Sequence, residues 1–366
     1  LGFRCHVFEP GVAPPAAHTA HLLTTAAYDD RDALSRFAQS VDVVTYEFEN
    51  IPTDALDAIE SIRTIRPGRE ALRVSQDRLT EKSFLQGLGL RVAPFCSVDD
   101  ASSLAKALAD IGTPAILKTR RFGYDGKGQA RLSTREDADT ALAEIAGQPA
   151  VLEGFVDFSH EVSVIAARSL AGEVACFDPG ENLHEGGILR RTTVPARLSA
   201  SQRTDAILIA ANILNALEYV GVMGVELFVT PQGLVVNEIA PRVHNSGHWT
   251  IEGAKTSQFE NHMRAIAGLP LGDTDVPGFA AMINLVSEIP ALDALEGQPG
   301  IYLHVYGKAP APGRKLGHIT VVAETRPVLE ERIRQVLAVI GDRAAGSSTP
   351  AMMASSIGSL SEAREA

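Results

Sequence analysis

Two groups of side chains in this sequence have the types and spacing needed to act on a nucleotide phosphate. The first is a glycine-rich loop that follows an apolar strand ending near Lys118. Its glycines are Gly123, Gly126 and Gly128, and it also contains Lys127. Clustered glycines let backbone N–H groups converge on a phosphate, but this is not a Walker loop, because Lys127 precedes glycine. Alone, the pattern also fits a flexible hairpin tip with solvated lysines.

The second group is a pair of carboxylates in a predicted β-hairpin. Two apolar runs flank 231–233, which predicts a three-residue turn with Thr230 opposite Leu234. In that register Glu226 faces Glu238, and like charges directly opposite each other destabilise a sheet. A divalent cation would remove this conflict, and Mg²⁺ prefers one or two carboxylates together with phosphate oxygens. The alternative is a register error that leaves both acids in solvent.

Polar side chains follow this hairpin directly and predict a site for a second, anionic substrate. The stretch 241–249 holds four hydrogen-bonding groups: Arg242, His244, Asn245 and His248. Further along, the Pro/Gly-stiffened turn 307–315 carries Lys308, Arg314 and Lys315. This basic turn suits a phosphate, and a solvated turn explains it equally well.

Two more charged groups lie at the ends of predicted elements. Ser75 or Asp77 is placed to cap a helix, so that Arg78 falls in the first turn, where a cation opposes the helix dipole. That position favours a ligand contact, although an exposed arginine fits as well. Glu47 and Glu49 end a predicted strand over 41–50, at the edge where parallel sheets bind ligands. Solvated strand-end acids are the alternative.

Length and composition predict a protein of more than one domain. The 366 residues exceed what one hydrophobic core usually serves, and 45% hydrophobic residues is ordinary for a globular protein. A net charge of −12 argues against a non-specific nucleic-acid binder. No apolar run approaches the length of a membrane span. Three widely spaced cysteines favour a reducing, cytoplasmic setting.

The order of predicted elements indicates an α/β segment followed by an antiparallel one. Strands and helices alternate before residue 75, which is typical of an open parallel sheet. Later strands at 150–156, 161–167 and 175–177, together with the hairpin, indicate an antiparallel sheet. The expected domains are 1–74, 75–270 with a lid at about 113–156, and 271–345, followed by a flexible tail at 346–366.

These motifs together resemble the ATP-grasp superfamily, and within it the 5-(carboxyamino)imidazole ribonucleotide synthetases of purine biosynthesis. The resemblance runs from about residue 4 to about residue 340. Its motifs lie at 46–50, 76–82, 123–129, 153–156, 236–249 and 307–318. It implies an α/β and α+β ATP-grasp fold with an N-terminal open parallel α/β domain and a small C-terminal β-rich domain. It also implies a strand and a glycine-rich loop before the first residue of this sequence.

The resemblance implies an ATP-dependent ligase that forms a carbon–nitrogen bond. In the implied reaction, ATP phosphorylates bicarbonate to carboxyphosphate, and the amine of 5-aminoimidazole ribonucleotide is then carboxylated, with release of ADP and phosphate. The implied ion is Mg²⁺, with Mn²⁺ as an alternative, and the implied assembly is a cytoplasmic homodimer without nucleic acid or membrane. Because carboxyphosphate hydrolyses in water, we expect the glycine loop to close over the site.

Residues that match the family's motifs carry roles implied by the resemblance. The ATP phosphates are assigned to Arg78, Lys118, Gly123, Tyr124, Asp125, Gly126, Lys127, Gly128 and Gln129. The adenine hinge is assigned to Glu153, Gly154, Phe155 and Val156, the ribose hydroxyls to Glu161, and a place beside the nucleotide to His184. Mg²⁺ is assigned to Glu226 and Glu238, with Asn237 next to them. The ribonucleotide and bicarbonate are assigned to Tyr124, Asp125, Arg242, His244, Asn245, Lys308 and Arg314, with Glu49 facing the same substrate.

Two alternatives stay open on the sequence alone. One is another ATP-grasp ligase that uses the same nucleotide site with a different acceptor, and it predicts ADP release with another amine. The other is a truncated ATP-binding protein that lacks turnover, and it predicts ATP binding without ADP release. The presence of Lys118, Glu226 and Glu238 argues against the second alternative.

Overall fold

The computed structural model describes residues 1–12, 14–123 and 127–345. The predicted loop residues Tyr124, Asp125 and Gly126 and the predicted tail at 346–366 therefore lie outside the described residues. Within the described ranges, no helix is both long enough and apolar enough to cross a bilayer.

The first segment of the chain is a small parallel sheet covered by helices. Its elements are β1 (His6–Phe8), a 3₁₀ turn (Pro15–His18), β2 (Leu22–Thr24), α1 (Arg31–Gln39), α2 (Thr53–Glu60) and α3 (Arg69–Ser75). Strands β1 and β2 pair in parallel, as the alternation of strands and helices predicts. Apolar side chains such as Leu34 and Leu56 pack between the helices and form the core of this segment.

The predicted strand over 41–50 is wrong. The structure has only one bridge there, in which Val44 pairs in parallel with Ile65. Immediately after it, Thr45 contacts the ring Nε2 of His262 at 2.8 Å, and the Tyr46 side chain is buried. Tertiary contacts of these side chains therefore outweigh the β propensity of the segment.

The second group of elements forms a four-stranded antiparallel sheet, and α4 precedes it. The elements are α4 (Arg78–Gly87), β3 (Phe95–Val98), α5 (Ala101–Ile111), β4 (Ala115–Thr119), β5 (Gln129–Leu132), a 3₁₀ turn (Arg135–Asp137), α6 (Ala138–Glu144) and β6 (Ala150–Gly154). The strand order is β3-β6-β4-β5. Asp77 caps α4, and Asp100 and Ser103 form a capping box at the start of α5. The sheet and its two covering helices share one apolar core.

The third group belongs to a large antiparallel sheet that carries most of the site. It comprises β7 (His160–Arg168), β8 (Val174–Cys176), β9 (Gly180–Glu185), β10 (Ile188–Val194), α7 (Ala200–Ala216), β11 (Gly221–Thr230), β12 (Gly233–Ala240), a 3₁₀ turn (Asn245–Gly247), α8 (Thr250–Gly253) and α9 (Gln258–Ile266). Helix α7 packs its buried residues, such as Ile213 and Leu214, against this sheet.

The last group extends the same sheet. It comprises β13 (Phe279–Val286), a 3₁₀ turn (Asp293–Leu295), β14 (Ile301–Val305), β15 (Lys315–Ala323) and α10 (Arg326–Ala345). The order is β12-β11-β7-β9-β10-β13-β15-β14, with β8 paired to β7. Helix α10, broken at Gly341, covers β13 and β15 with an apolar core of its own. The last strands continue the central sheet, so the sheet itself marks no break at residue 270. The predicted domain boundary there stays a prediction.

The hairpin of β11 and β12 has a shorter turn than the three residues predicted. Thr230 pairs with Gly233 rather than Leu234, so only residues 231 and 232 form the turn. A β-bulge between Glu226 and Leu227 then shifts the register by one residue. As a result Glu226 still lies opposite Glu238. The predicted carboxylate pair is confirmed, although the turn predicted to produce it is wrong.

Helix α9 connects the central sheet to the first segment through one buried histidine. The ring Nδ1 of His262 accepts from the backbone N–H of Val222 at 3.2 Å, and its Nε2 contacts the Thr45 hydroxyl. Since Nδ1 accepts, the ring is neutral and Nε2 carries the proton. Burial lowers the pKa of His262 to about 4.

This histidine predicts a loss of stability in acid. Between pH 6.5 and pH 4 the unfolded chain binds a proton at His262 that the folded chain does not, so the free energy of unfolding falls as the pH drops. Replacing His262 by Gln should reduce that slope by up to about 1.4 kcal/mol per pH unit. Urea unfolding across this range measures the slope. The control His18→Gln, at an exposed position, should keep the wild-type slope, and an unchanged slope in His262→Gln would contradict the account.

Candidate nucleotide and metal site

Helix α4 brings the first predicted site residue to the hairpin. The guanidinium Nη1 of Arg78 lies 3.0 Å from Oε2 of Glu238, and its Nη2 donates to the carbonyl of Gly123 at 3.3 Å. Arg78 therefore connects the predicted metal carboxylate with the start of the glycine loop. Asp77, which caps the helix, also pairs with Arg120 at 2.8 Å and so fixes the loop to the same helix end.

The charge of Glu238 is set by its neighbours. The surrounding protein favours the neutral acid, but the positive charges of Arg78 and Lys118 outweigh this effect and lower the pKa of Glu238 to about 2. The side chain keeps 39% of its surface exposed. Glu238 is thus an ionised carboxylate that still faces open space.

Lys118 belongs to a buried group of charges that the sequence reveals only in part. The Nζ of Lys118 lies 3.0 Å from Oε2 of Glu153, and the Nζ of Lys82 lies 3.4 Å from the same oxygen. The Glu153 side chain is only 4% exposed. Burial alone would raise the pKa of Glu153, but the two lysines outweigh it and lower that pKa. The Glu153 side chain therefore faces the lysines, and its role in the adenine hinge stays a prediction.

The predicted hinge and loop are only partly described. The backbone N–H groups of Gly154 and Phe155 donate to the carbonyls of Pro94 and Pro114, while the adenine role of the 153–156 segment stays a prediction. In the loop, Gly128 has a φ of +67°, and a Cβ there would lie 2.5 Å from the Thr119 hydroxyl. This position therefore requires glycine.

The second carboxylate, Glu226, lies in a cluster with two other predicted nucleotide residues. Oxygen or nitrogen atoms of Glu161, His184 and Glu226 all lie within 4.8 Å of one another. The Nδ1 of His184 is 3.0 Å from Oε2 of Glu161. Burial lowers the pKa of His184, but Glu161 outweighs this effect and the pKa is raised. Glu226 also pairs with Nε2 of His244 at 3.2 Å.

The residues predicted to hold a divalent cation fit that role. Glu226 and Glu238 are directly opposite in the hairpin. Glu226 contacts His244, and Glu238 contacts Arg78. Next to them, the Oδ1 of Asn237 is buried and has no hydrogen-bond partner among the described residues. Carboxylate and amide oxygens are the ligands that Mg²⁺ prefers. A buried oxygen that has no bound partner costs free energy, and a cation would supply that partner.

The stretch predicted for the second substrate begins beside the carboxylates. Arg242 contacts the carboxylate of Glu49 through Nε and Nη2, at 3.1 and 3.2 Å. Burial works against the charge of Arg242, but Glu49 outweighs it and the pKa is raised. Asn245 exchanges hydrogen bonds with Asn284 at 3.0 and 2.6 Å. The structure thus places Arg242 beside Glu49, while the role of Arg242, His244, Asn245 and Glu49 toward the second substrate stays a prediction.

The predicted basic turn lies at the surface. Both Lys308 and Arg314 are exposed. The Nζ of Lys308 lies 5.4 Å from the Tyr306 ring centre, and Arg314 donates to the carbonyl of Ala309. The contacts described for these two side chains do not join them to Arg242, so their role toward the second substrate stays a prediction.

Glu81 and Lys82 also belong to this site, and neither was predicted from the sequence. Both are buried, at 2% and 1% exposure. They follow Arg78 by three and four positions and therefore share its face of α4. The available signal was this spacing, because a helix face that carries Arg78 toward the hairpin must carry these two side chains there as well.

Family models of known proteins match three parts of this chain and define its class. The family model of the ATP-grasp domain matches residues 83–259. The models of the ribonucleotide synthetase pre-ATP-grasp domain and of the phosphoribosylaminoimidazole carboxylase C-terminal domain match 1–76 and 280–332. The chain is therefore an ATP-grasp protein, and the fold class expected from the sequence is confirmed.

Full-length relatives narrow this class. The N5-carboxyaminoimidazole ribonucleotide synthase of Brucella melitensis is 49% identical over 87% of this chain and 90% of that protein. The Pseudomonas aeruginosa protein of the same name is 43% identical over 93% of this chain and 94% of its own length. The chain belongs to the family of N5-carboxyaminoimidazole ribonucleotide synthases, and the resemblance drawn from its motifs is confirmed.

Solved structures agree with this assignment. The N5-carboxyaminoimidazole ribonucleotide synthetase of Thermus thermophilus has a TM-score of 0.89 and 44% identity, covering 95% of this chain and 94% of that one. The Aspergillus clavatus N5-carboxyaminoimidazole synthase, solved with ADP and 5-aminoimidazole ribonucleotide, has a TM-score of 0.85 and 30% identity, covering 92% of each chain.

The buried charge group predicts a large effect of one substitution. Replacing Glu153 by Gln leaves the buried Lys82 and Lys118 without their shared counter-ion, and should lower the free energy of unfolding by about 3 to 5 kcal/mol. The matched control Glu70→Gln removes an exposed pair with Arg73 and should cost less than about 1 kcal/mol. Urea unfolding of both variants measures the difference. Equal losses in the two variants would contradict the account, because Glu153 would then contribute no more to stability than an exposed carboxylate does.

Proposed function

We propose that this chain carboxylates 5-aminoimidazole ribonucleotide with bicarbonate, at the expense of ATP. A bicarbonate oxygen attacks the γ-phosphorus of ATP, ADP leaves, and carboxyphosphate forms. The carboxyl carbon then bonds to the exocyclic amine, phosphate leaves, and the amine gives up a proton. The products are the N5-carboxylated ribonucleotide, ADP and phosphate.

The observation that carries this proposal is the contact of His244 with Glu226 at 3.2 Å. Glu226 belongs to the carboxylate pair of the nucleotide side, whereas His244 belongs to the stretch proposed for the second substrate. One contact therefore joins the two halves of the reaction. Direct transfer between them requires that proximity, because reacting groups held together avoid the entropy cost of a bimolecular encounter.

On the nucleotide side, the chain provides positive charge around the transferred phosphoryl group. Arg78 and Lys118 are the cations proposed to hold the ATP phosphates, and the glycine loop, which begins at Gly123, is proposed to cover them. Phosphoryl transfer depends mainly on such positioning and charge neutralisation. Glu226, Glu238 and Asn237 would hold Mg²⁺ or Mn²⁺, which when bound neutralises charge that develops on the phosphate oxygens.

On the acceptor side, Arg242 and its neighbours are proposed to orient bicarbonate and the ribonucleotide. The guanidinium of Arg242 is held by Glu49 in a two-point contact, so its remaining N–H groups have a fixed direction. His244 and Asn245 are the adjacent donors, and Lys308 and Arg314 are proposed for the ribonucleotide phosphate. A cytoplasmic homodimer is part of the same proposal, supported by the family alone.

The proposal predicts Mg²⁺-dependent ADP release that requires bicarbonate and is strongly stimulated by 5-aminoimidazole ribonucleotide. A coupled ADP assay on the chain measures it. ADP release with another amine, but not with this ribonucleotide, would instead favour a ligase with a different acceptor. ATP binding by calorimetry without ADP release under any acceptor would favour a binding protein.

Replacing Glu238 by Gln should reduce kcat by roughly 1000-fold, because a metal carboxylate supplies several kcal/mol of charge stabilisation in the transition state. Steady-state ADP release measures the effect. Glu260→Gln, a change of the same type in the α9 pair with Arg264, should leave kcat near that of the wild type. Normal turnover in Glu238→Gln would remove Glu238 from the metal site.

A further inference from the structure

Strand β12 carries Glu238 at the edge of the large sheet. It pairs with β11 on one side only and is the last strand in the order. Edge strands present backbone groups that need other partners. Part of this edge is satisfied by Arg91, whose carbonyl accepts from the N–H of Val236 at 2.8 Å. Helix α4 covers the part that contains Glu238.

Two buried polar side chains of α4 hold the backbone on either side of Glu238. The Nζ of Lys82 donates to the carbonyl of Asn237 at 2.8 Å. The Oε1 of Glu81 accepts from the N–H of Ile239 at 2.6 Å. From the same helix face, Arg78 contacts the Glu238 carboxylate itself. The residue between Asn237 and Ile239 is thereby held at three points by one helix.

Neither Glu81 nor Lys82 is placed to touch a nucleotide. Their exposures of 2% and 1% leave almost no surface open to the cleft. Burying ionisable side chains is costly, and apolar side chains of similar volume are often no less stabilising. Lys82 also contacts Glu153 of the four-stranded sheet at 3.4 Å. It therefore connects the strand of Glu238 with the sheet that carries Lys118.

We propose that Glu81 and Lys82 are positioning residues for Glu238, which fix its peptide groups and thereby the direction of its carboxylate toward the metal. The inference rests on the proposed function, in which Glu238 holds the ion. Residues that orient metal ligands from outside the first coordination layer typically change metal affinity by 10- to 100-fold when they are replaced. A role limited to folding would change stability but not metal affinity.

The test measures Mn²⁺ binding in the presence of ATP, by electron paramagnetic resonance on the full chain, together with kcat and KM. Glu81→Met removes the acceptor of the Ile239 N–H and should weaken Mn²⁺ binding about ten-fold. Glu81→Gln retains an acceptor oxygen and should restore most of that affinity. Lys82→Met removes the donor to Asn237 and should act like Glu81→Met. In both Met variants kcat should fall, with little change in the KM for the ribonucleotide.

A control separates positioning from stability. Leu214→Ala opens a cavity in the core beneath the same sheet without removing either hydrogen bond. It should lower the unfolding temperature and leave Mn²⁺ affinity unchanged. The proposal is overturned if Leu214→Ala weakens Mn²⁺ binding as much as Glu81→Met at an equal loss of stability. It is also overturned if the folded Met variants bind Mn²⁺ like the wild type.

Failure of the proposed function gives a different result. If Glu238→Gln itself binds Mn²⁺ normally, then Glu238 is not a metal ligand, and the assignment of the site fails whatever Glu81 and Lys82 do. If Glu238→Gln loses Mn²⁺ and Glu81→Met does not, only the positioning role is wrong. Should Glu81→Met not fold, Lys82→Met and Glu81→Gln decide between the same outcomes.

Discussion

The site depends on holding two carboxylates opposite each other in one hairpin. Glu226 and Glu238 occupy paired positions, where like charges repel. The positive charge of Arg78 offsets this repulsion at Glu238, and the ring Nε2 of His244 lies 3.2 Å from the Glu226 carboxylate. An arrangement of this kind suits a site that receives a divalent cation and an anionic nucleotide together, because each reduces the charge of the other.

Helix α4 supplies side chains that contact Glu238 and the backbone beside it. Its first turn supplies Arg78, which contacts both Glu238 and the glycine loop. Its next turn supplies Lys82, which contacts the backbone beside Glu238 and the buried Glu153. Lys118 reaches Glu153 from the four-stranded sheet. The two sheets that carry the proposed nucleotide site are thus connected through buried charges, and their relative position determines how far Lys118 lies from the carboxylate pair.

Periodicity and turn chemistry predicted the parts of this structure that depend on local rules. The Asp77 cap and the antiparallel sheet follow from short-range patterns, whereas the Glu226–Glu238 pair forms through a shorter turn than predicted together with a bulge. The bulge beside Glu226 could not be predicted, since nothing in the local sequence specifies which strand carries an extra residue. The interactions of Glu81, Lys82 and Glu49 were not predicted either, because ionisable side chains are usually solvated and these partners lie far away in the chain. The segment 41–50 is not a strand, because tertiary contacts of its side chains outweigh its β propensity.

The proposed reaction activates bicarbonate by direct transfer of a phosphoryl group from ATP. The most direct measurement follows ¹⁸O from labelled bicarbonate into the products by mass spectrometry. Because a bicarbonate oxygen attacks phosphorus and stays with it, the account predicts one ¹⁸O atom in the released phosphate and two in the new carboxylate. Phosphate released without ¹⁸O, while the ribonucleotide is carboxylated, would contradict it.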